Sequence, residues 1–203
     1  MASMNFCPRC GLTLTSREDG GRERQSCPDV EGCGFIHFGD FSIGVGAVVF
    51  SGDKALLVQR GQNPNRGAWQ IPGGYAEADE DIALSIEREV LEEAGVTAKI
   101  RDAIGFRHAI GGGIGGPSTN IYIVFRLDAE PGETSFDNDE IIGAGYFSLD
   151  EMANMERVQS LSSWAIDLAM RTPRDAGLGV AMEGPGADRP GWTMFGLRPE
   201  DTL

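Results

Sequence analysis

An α/β protein preceded by a small cysteine-rich module is what this 203-residue sequence predicts, on three observations. β-branched runs broken by turn residues flank one strongly patterned helical stretch, a second helical periodicity follows it, and all four cysteines lie within the first 33 residues. The length suits one well-buried domain plus a small module. A hydrophobic fraction of 41% and a charged fraction of 24% are those of an ordinary soluble protein. The net charge of −14 argues against a broad nucleic-acid footprint, which would show as a basic patch or stripe. No N-terminal apolar run follows a basic stretch, and none approaches membrane-spanning length. The expectation is a cytoplasmic protein with no nucleic-acid and no membrane partner.

Residues 1–40 carry Cys7-Pro-Arg-Cys10 and Cys27-Pro-Asp-Val-Glu-Gly-Cys33, with glycines, Gly11 and Gly34, after both second cysteines. Such turns let backbone amides approach the sulfurs, and four thiolates suit a closed tetrahedral Zn²⁺ site. The arrangement resembles a zinc ribbon, although the second pair brackets five residues where two are usual. Two disulfides would need an oxidising compartment, and redox chemistry at Cys7 and Cys10 would need a βαβ setting that is missing. His37, between Ile36 and Phe38, could stand in for one cysteine but reads more simply as a strand residue. With Cys7, Cys10, Cys27 and Cys33 as ligands no position is open, so the expected role of the metal is structural.

Phe41 to Phe50 and Lys54 to Arg60 form two β-branched runs around Ser51-Gly52-Asp53, which predicts a hairpin in a buried sheet. The loop from Gly61 to Gly67 follows, and Arg60 and Arg66 there either meet substrate phosphate or are solvated loop charges. Trp69 is expected in the core rather than as a stacking platform.

Residues 73–96, GGYAEADEDIALSIEREVLEEAGV, are the centre of the sequence. A helix is expected from Asp79, with Asp79 as its cap, Glu80 and Asp81 at its positive end and Gly95 as its stop. At about 100° per residue, Ile86, Val90, Ala83, Ala94, Leu91 and Leu84 share one broad side, and Glu89, Glu92 and Glu93 crowd the other. Like charges at i, i+3 and i+4 repel by a few tenths of a kcal/mol per pair. A solvated acidic face is one reading; a divalent cation site is the other, since Mg²⁺ takes oxygen ligands from a few carboxylates and keeps positions for water and phosphate.

From Gly74 the stretch runs Gly, five residues, Glu80, seven residues, then Arg88-Glu89-Val90-Leu91-Glu92-Glu93-Ala94-Gly95-Val96, and it matches every fixed position of the box that defines the Nudix hydrolases. The resemblance covers about residues 41–172 and implies an α/β/α sandwich on a mixed sheet. It implies a loop–helix–loop that holds Mg²⁺ or Mn²⁺ against the diphosphate of a nucleoside diphosphate linked to another group, with water attacking phosphorus. Carried over by position, Glu89, Glu92 and Glu93 resemble the metal ligands, with the Gly73 carbonyl as a further one. Arg88 would hold carboxylates and loop in place, and Glu80 resembles the orienting glutamate. Positioning and charge neutralisation dominate phosphoryl transfer, so metals suit the chemistry. On a chain of charge −14 they also offset repulsion of an anionic substrate.

Beyond the box, Val96 to Ala109 and Thr119 to Ala129 are expected strands. Gly111 to Pro117 between them is expected to be a flexible loop, lacking the Gly-Lys-Ser/Thr ending of a phosphate cradle. The Ser-Gln-Pro-Trp-Pro-Phe-Pro motif of the zinc-containing NADH pyrophosphatases is missing, which argues against NADH as main substrate. Asp137-Asn-Asp-Glu140 ahead of Ile141 to Phe147 resembles the acidic loop that supplies a metal ligand or general base in several family members. Glu140 is the first candidate and Asp139 the second, with Glu89 a rival for the base; ordinary turn acids are the alternative. Ser160 to Arg171 shows helical periodicity through Leu161, Trp164, Ile166, Leu168 and Ala169. The tail, 173–203, is Gly/Pro-rich and expected to be irregular as far as Gly191, with Trp192 to Leu197 docking on the protein or on a second copy in a homodimer.

The combination of ribbon, box and no NADH motif resembles the subset acting on ADP-ribose and FAD, with a small nucleotide as partner. A nucleotide sensor that has lost catalysis and an enzyme for nucleoside triphosphates are the alternatives.

Overall fold

A computed structural model describes residues 4–111, 119–181 and 191–197. Most of the glycine loop from Gly111 to Pro117 lies outside the described residues. The chain divides into two compact units, Met1–Phe41 with Ala109–Thr119, and Ser42–His108 with Asn120–Leu203.

In the first unit β1 (Thr15–Asp19) and β2 (Arg22–Ser26) form an antiparallel hairpin, Thr15 opposite Ser26 and Asp19 opposite Arg22. Gly20 and Gly21 make its two-residue turn at φ 58° and 75°, where both central residues need the left-handed region. One cysteine pair precedes the hairpin and the other follows it.

The second unit is built on an eight-stranded sheet. Its strands are β3 (Phe41–Ser51), β4 (Lys54–Arg60), β5 (Trp69–Gln70), β6 (Ala98–Ile110), β7 (Thr119–Ala129), β8 (Ile141–Phe147), β9 (Leu178–Val180) and β10 (Phe195–Leu197). They run in the order β10-β9-β6-β7-β3-β4-β5, and β8 also pairs with β4. Strand period 2 divides the residues between two faces. Val45, Ala47, Val49, Leu56, Val58, Phe125 and Leu127 pack on α1 (Ile82–Ala94). Val48, Ala55, Leu57 and Val124 pack on α3 (Ser160–Arg171). These are the three layers of an α/β/α sandwich; a short α2 (Leu149–Ala153), closed by a capping box between Ser148 and Glu151, leads into α3.

Both helices rotate from the expected faces. On α1 the buried residues are Ser85, Ile86, Val90, Glu93 and Ala94, while Leu84 and Leu91 are exposed. On α3 they are Ser162, Ala165, Ile166 and Ala169, with Trp164 largely open. Small residues bring α3 close to the sheet, and the Ser162 hydroxyl accepts the Ile71 amide at 3.0 Å. The N-cap of α1 is Asp81, not Asp79: its carboxylate accepts the Ala83 amide at 2.8 Å. An aspartate at the true boundary satisfies an orphan donor directly, and Asp79 is one turn too early to do so. Gly95 closes the helix at φ 67°.

A buried ion pair that the sequence did not announce ties sheet to tail. Arg126 of β7 donates to both oxygens of Asp102 on β6, at 2.9 and 2.6 Å, and to the Thr172 and Pro173 carbonyls at 3.0 Å. Asp102 also accepts the Gly177 amide. Bidentate geometry with every lone pair engaged is what makes such a pair tolerable in the interior. The tail is correspondingly not irregular throughout: β9 and β10 pair with each other, β9 meets β6 at Ala103, and Phe195 packs on Phe125.

Candidate active site and thiol cluster

Residues 72–76 lie along the first half of β3, where the Ala47, Val45 and Ala76 amides bond to the carbonyls of Pro72, Gly74 and Ile43, each at 2.9 Å. This leaves the Gly73 amide to face α1, where it donates to Glu93 Oε2 at 2.8 Å. Gly73 sits at φ 153°, and a side chain there would run into the Val45 carbonyl. At Gly74 an added Cβ would come within 2.5 Å of Glu89 Oε1. The two glycines make a cradle whose space the box carboxylates occupy.

Arg88 neutralises this cluster. Its Nε and Nη2 donate to the two oxygens of Glu80, both at 3.0 Å, and Nη1 reaches Glu89 at 3.1 Å and Glu92 at 2.9 Å. Hydrogen bonding to Arg88 holds Glu80 below the usual carboxylate range. Glu93 points the other way and is only 7% exposed. Burial, with the charges of Glu89 and Glu140, pushes its carboxyl up to about 8 against the pull of the Gly73 amide and Arg60. Burial raises Glu89 as well, partly offset by Arg88. The expected acidic face is thus divided: Glu92 is exposed, Glu89 half-buried and Glu93 inside.

Glu140 joins from β4's far end, its carbonyl accepting the Gly61 amide at 2.7 Å. Asp137 holds this turn by accepting the amides of Asp139, Glu140 and Ile141, which lowers its carboxyl. Asp139 is exposed in the same turn. Arg60 donates to the Pro64 carbonyl, and the Arg66 carbonyl accepts from Arg157. Trp69 packs edge-on against Phe147 at 5.1 Å, in the α3-side core.

Tyr122 was missed from sequence. Its ring fills the space above Gly44 and Gly46 and its hydroxyl adjoins Gly73, while Arg107 lies over the ring at 5.5 Å. The charges of Glu93 and Glu89 reach this buried phenol, whose pKa is raised chiefly by burial. The alternation Gly44-Val-Gly46 was the available signal, two missing side chains on one strand face.

In the first unit the four sulfurs of Cys7, Cys10, Cys27 and Cys33 all lie within 4.8 Å of one another, with Cys7 to Cys33 at 3.6 Å and Cys10 to Cys27 at 3.5 Å. A Zn–S bond of about 2.3 Å places tetrahedral ligands about 3.8 Å apart, so the sulfurs fit that ion. The five-residue insertion is absorbed by a turn in which the Asp29 carbonyl accepts the Cys33 and Gly34 amides and its carboxylate accepts that of Gly32. Burial lifts the Cys7 thiol, but the Arg9 and Cys10 amides outweigh it and bring it down to about 7; burial pushes Cys27 up to about 12. His37 pairs with Asp40 at 3.7 Å, away from the sulfurs.

A sandwich with an arginine-bound carboxylate helix over a glycine cradle defines the class of acidic, cation-holding phosphate sites. The NUDIX domain matches residues 40–165, and the chain belongs to the Nudix family. A Nudix hydrolase structure from Nitrosomonas europaea superposes with TM-score 0.66 at 25% identity, over 83% of this chain and 92% of that one. The ADP-ribose pyrophosphatase of Methanocaldococcus jannaschii is 29% identical over 119 residues, 56% of this chain and 66% of the relative. The NAD-capped RNA hydrolase NudC of Pseudomonas aeruginosa is 30% identical over 168 residues, 80% of this chain and 54% of the relative. The chain spans about half the length of the curated relatives it matches.

Proposed function

We propose that the protein hydrolyses the diphosphate linkage of a nucleoside diphosphate joined to another moiety, of ADP-ribose or FAD type, giving AMP and a second phosphorylated product. The observation that carries this reading is the Arg88-bound set of Glu80, Glu89 and Glu92 beside the glycine cradle and the inward Glu93. Hard oxygen donors, a raised carboxyl and little room for any side chain fit Mg²⁺ or Mn²⁺, held by Glu89, Glu92, Glu93 and the Gly73 carbonyl. Such an ion, when bound, neutralises diphosphate charge and acidifies a water. Arg88 and Glu80 keep the carboxylates apart and oriented, and Glu140, whose charge already reaches Glu89 and Glu93, takes the proton of the attacking water. The thiol cluster holds a structural Zn²⁺.

The ADP-ribose relative supports the substrate class. A second reading, cleavage of an NAD-type dinucleotide free or as an RNA cap, draws on the match to NudC extending over 168 residues, beyond the 40–165 of the family domain. The net charge of −14 disfavours a long RNA. The test is mass spectrometry of products after incubation with Mg²⁺ and ADP-ribose, FAD, NADH, a diadenosine polyphosphate or nucleoside triphosphates. AMP with ribose 5-phosphate or with FMN is the expected result. AMP from NADH alone would favour the second reading, and no cleavage at all would overturn both.

A further inference from the structure

The sheet has an apolar cavity that the box chemistry does not use. Its volume is about 610 Å³, within the range of small-molecule pockets. Every residue lining it is apolar or glycine, among them Ile82 of α1, Ala103 and Phe106 of β6, and Ile121 and Ile123 of β7. Nothing there could receive a phosphate. The fourth side is supplied by the tail, through Ala176 to Leu178 and Phe195, which lie beyond the family match ending at residue 165. The tail is pinned in place: Gly177 donates to Asp102, Thr193 donates to Asp81, and Phe195 stands 5.6 Å from Phe125. Phe106, 69% exposed, offers an aromatic face at the mouth.

The cavity and the carboxylates are linked by α1. Ile82 and Glu89 are seven residues apart, which places them within about 20° on one helix face and about 10 Å apart along the axis. A ribose and its phosphate span a gap of that order, and a flat uncharged ring is what apolar walls with an aromatic rim accept.

We propose that this tail-closed cavity holds the neutral aromatic base of the nucleotide whose diphosphate lies at the box carboxylates. The proposal rests on the hydrolase reading above, and it makes the C-terminal hairpin a specificity element. Alkyl groups and phosphates are excluded as main occupants, the first by the aromatic rim and the second by the lack of any charge or donor side chain.

The test compares two ligands that differ only in the base, AMP and ribose 5-phosphate, by calorimetry on the full chain with Mg²⁺. AMP is expected to bind at least about ten-fold tighter, in keeping with stacking and burial of one base. Ala176→Trp, placed at an exposed position of the lining, fills the mouth and should erase that difference while leaving ribose 5-phosphate binding where it was. Phe106→Ala, an exposed truncation that the fold tolerates, should cut AMP binding about three-fold. Equal binding of the two ligands by the unmodified protein, or discrimination unchanged in both folded variants, overturns the proposal. So does a dimer that Ala176→Trp dissociates, since a second copy would then be the occupant. Discrimination that Ala176→Trp abolishes, in a protein that cleaves none of the panel, would leave the cavity assignment standing and sink the hydrolase reading; cleavage with unaltered KM in both variants would do the reverse.

Discussion

The thiol cluster and the box helix pose the same electrostatic problem and solve it differently. Each gathers several groups that are anionic when ready to bind a cation. At the helix the counter-charge is internal: Arg88 touches three of the carboxylates, and the Gly73 amide holds the fourth. At Cys7, Cys10, Cys27 and Cys33 the sulfurs already converge to within 4.8 Å, and no arginine or lysine bonds to them among the described residues. The lesson is that the helix can fold before its metal arrives, whereas the thiol cluster depends on its metal to fold.

Glu93→Gln should break the comparison most visibly. Turnover is expected to fall by roughly three orders of magnitude, as loss of an interaction needed in the transition state does, with melting temperature kept or slightly raised. Unchanged kcat would sink the metal assignment. Next in size, stripping Zn²⁺ with a chelator, or Cys27→Ser, should unfold the first unit and leave the box helix intact, read as lost melting cooperativity with far-ultraviolet signal largely retained. A zinc-free sample with the same thermal profile would show that the cluster needs no ion.

The pH dependence sharpens the contrast. Glu93's folded-state pKa of about 8 lies above its ordinary value, so between about 4.5 and 8 the native state holds a proton that the unfolded chain has lost. Metal-free stability should therefore decline as pH rises through that window, by up to a few kcal/mol, and the slope should vanish in Glu93→Gln. Denaturation midpoints at four pH values decide it; stability that climbs with pH would contradict the burial argument. Mg²⁺ should stabilise increasingly toward pH 8, because ion and proton compete for the same carboxylate. A smaller effect, about ten- to hundred-fold in activity, is expected for Glu80→Gln, which leaves Arg88 with one clean acceptor fewer. Equal loss of activity and of stability would mean that Glu80 serves only the fold. Smallest of all, Leu84→Ala and Leu91→Ala should each shift stability by less than about 0.5 kcal/mol, since both are exposed.

The legible parts share one property: they depend on neighbours in sequence. The hairpins, the helix from Ser160 to Arg171 and the box were readable because period, turn residues and fixed offsets are local. Helix rotation was less so. Apolarity alone put Leu84 and Leu91 inside and Glu93 outside, but the Gly73 amide was waiting for an acceptor, and satisfying a buried donor outweighs one leucine's burial.

From the residues alone came the layer order, the cysteine set, the box and the arginine that neutralises it, since each is written in spacing. Only the tertiary structure decided which carboxylate turns inward, that Tyr122 sits over Gly44 and Gly46, that Arg126 pairs with Asp102, and that the tail closes a cavity on β6 and β7. Those outcomes pair residues tens of positions apart, and their energies depend on which partner happens to be within about 3 Å, a quantity that no local pattern encodes.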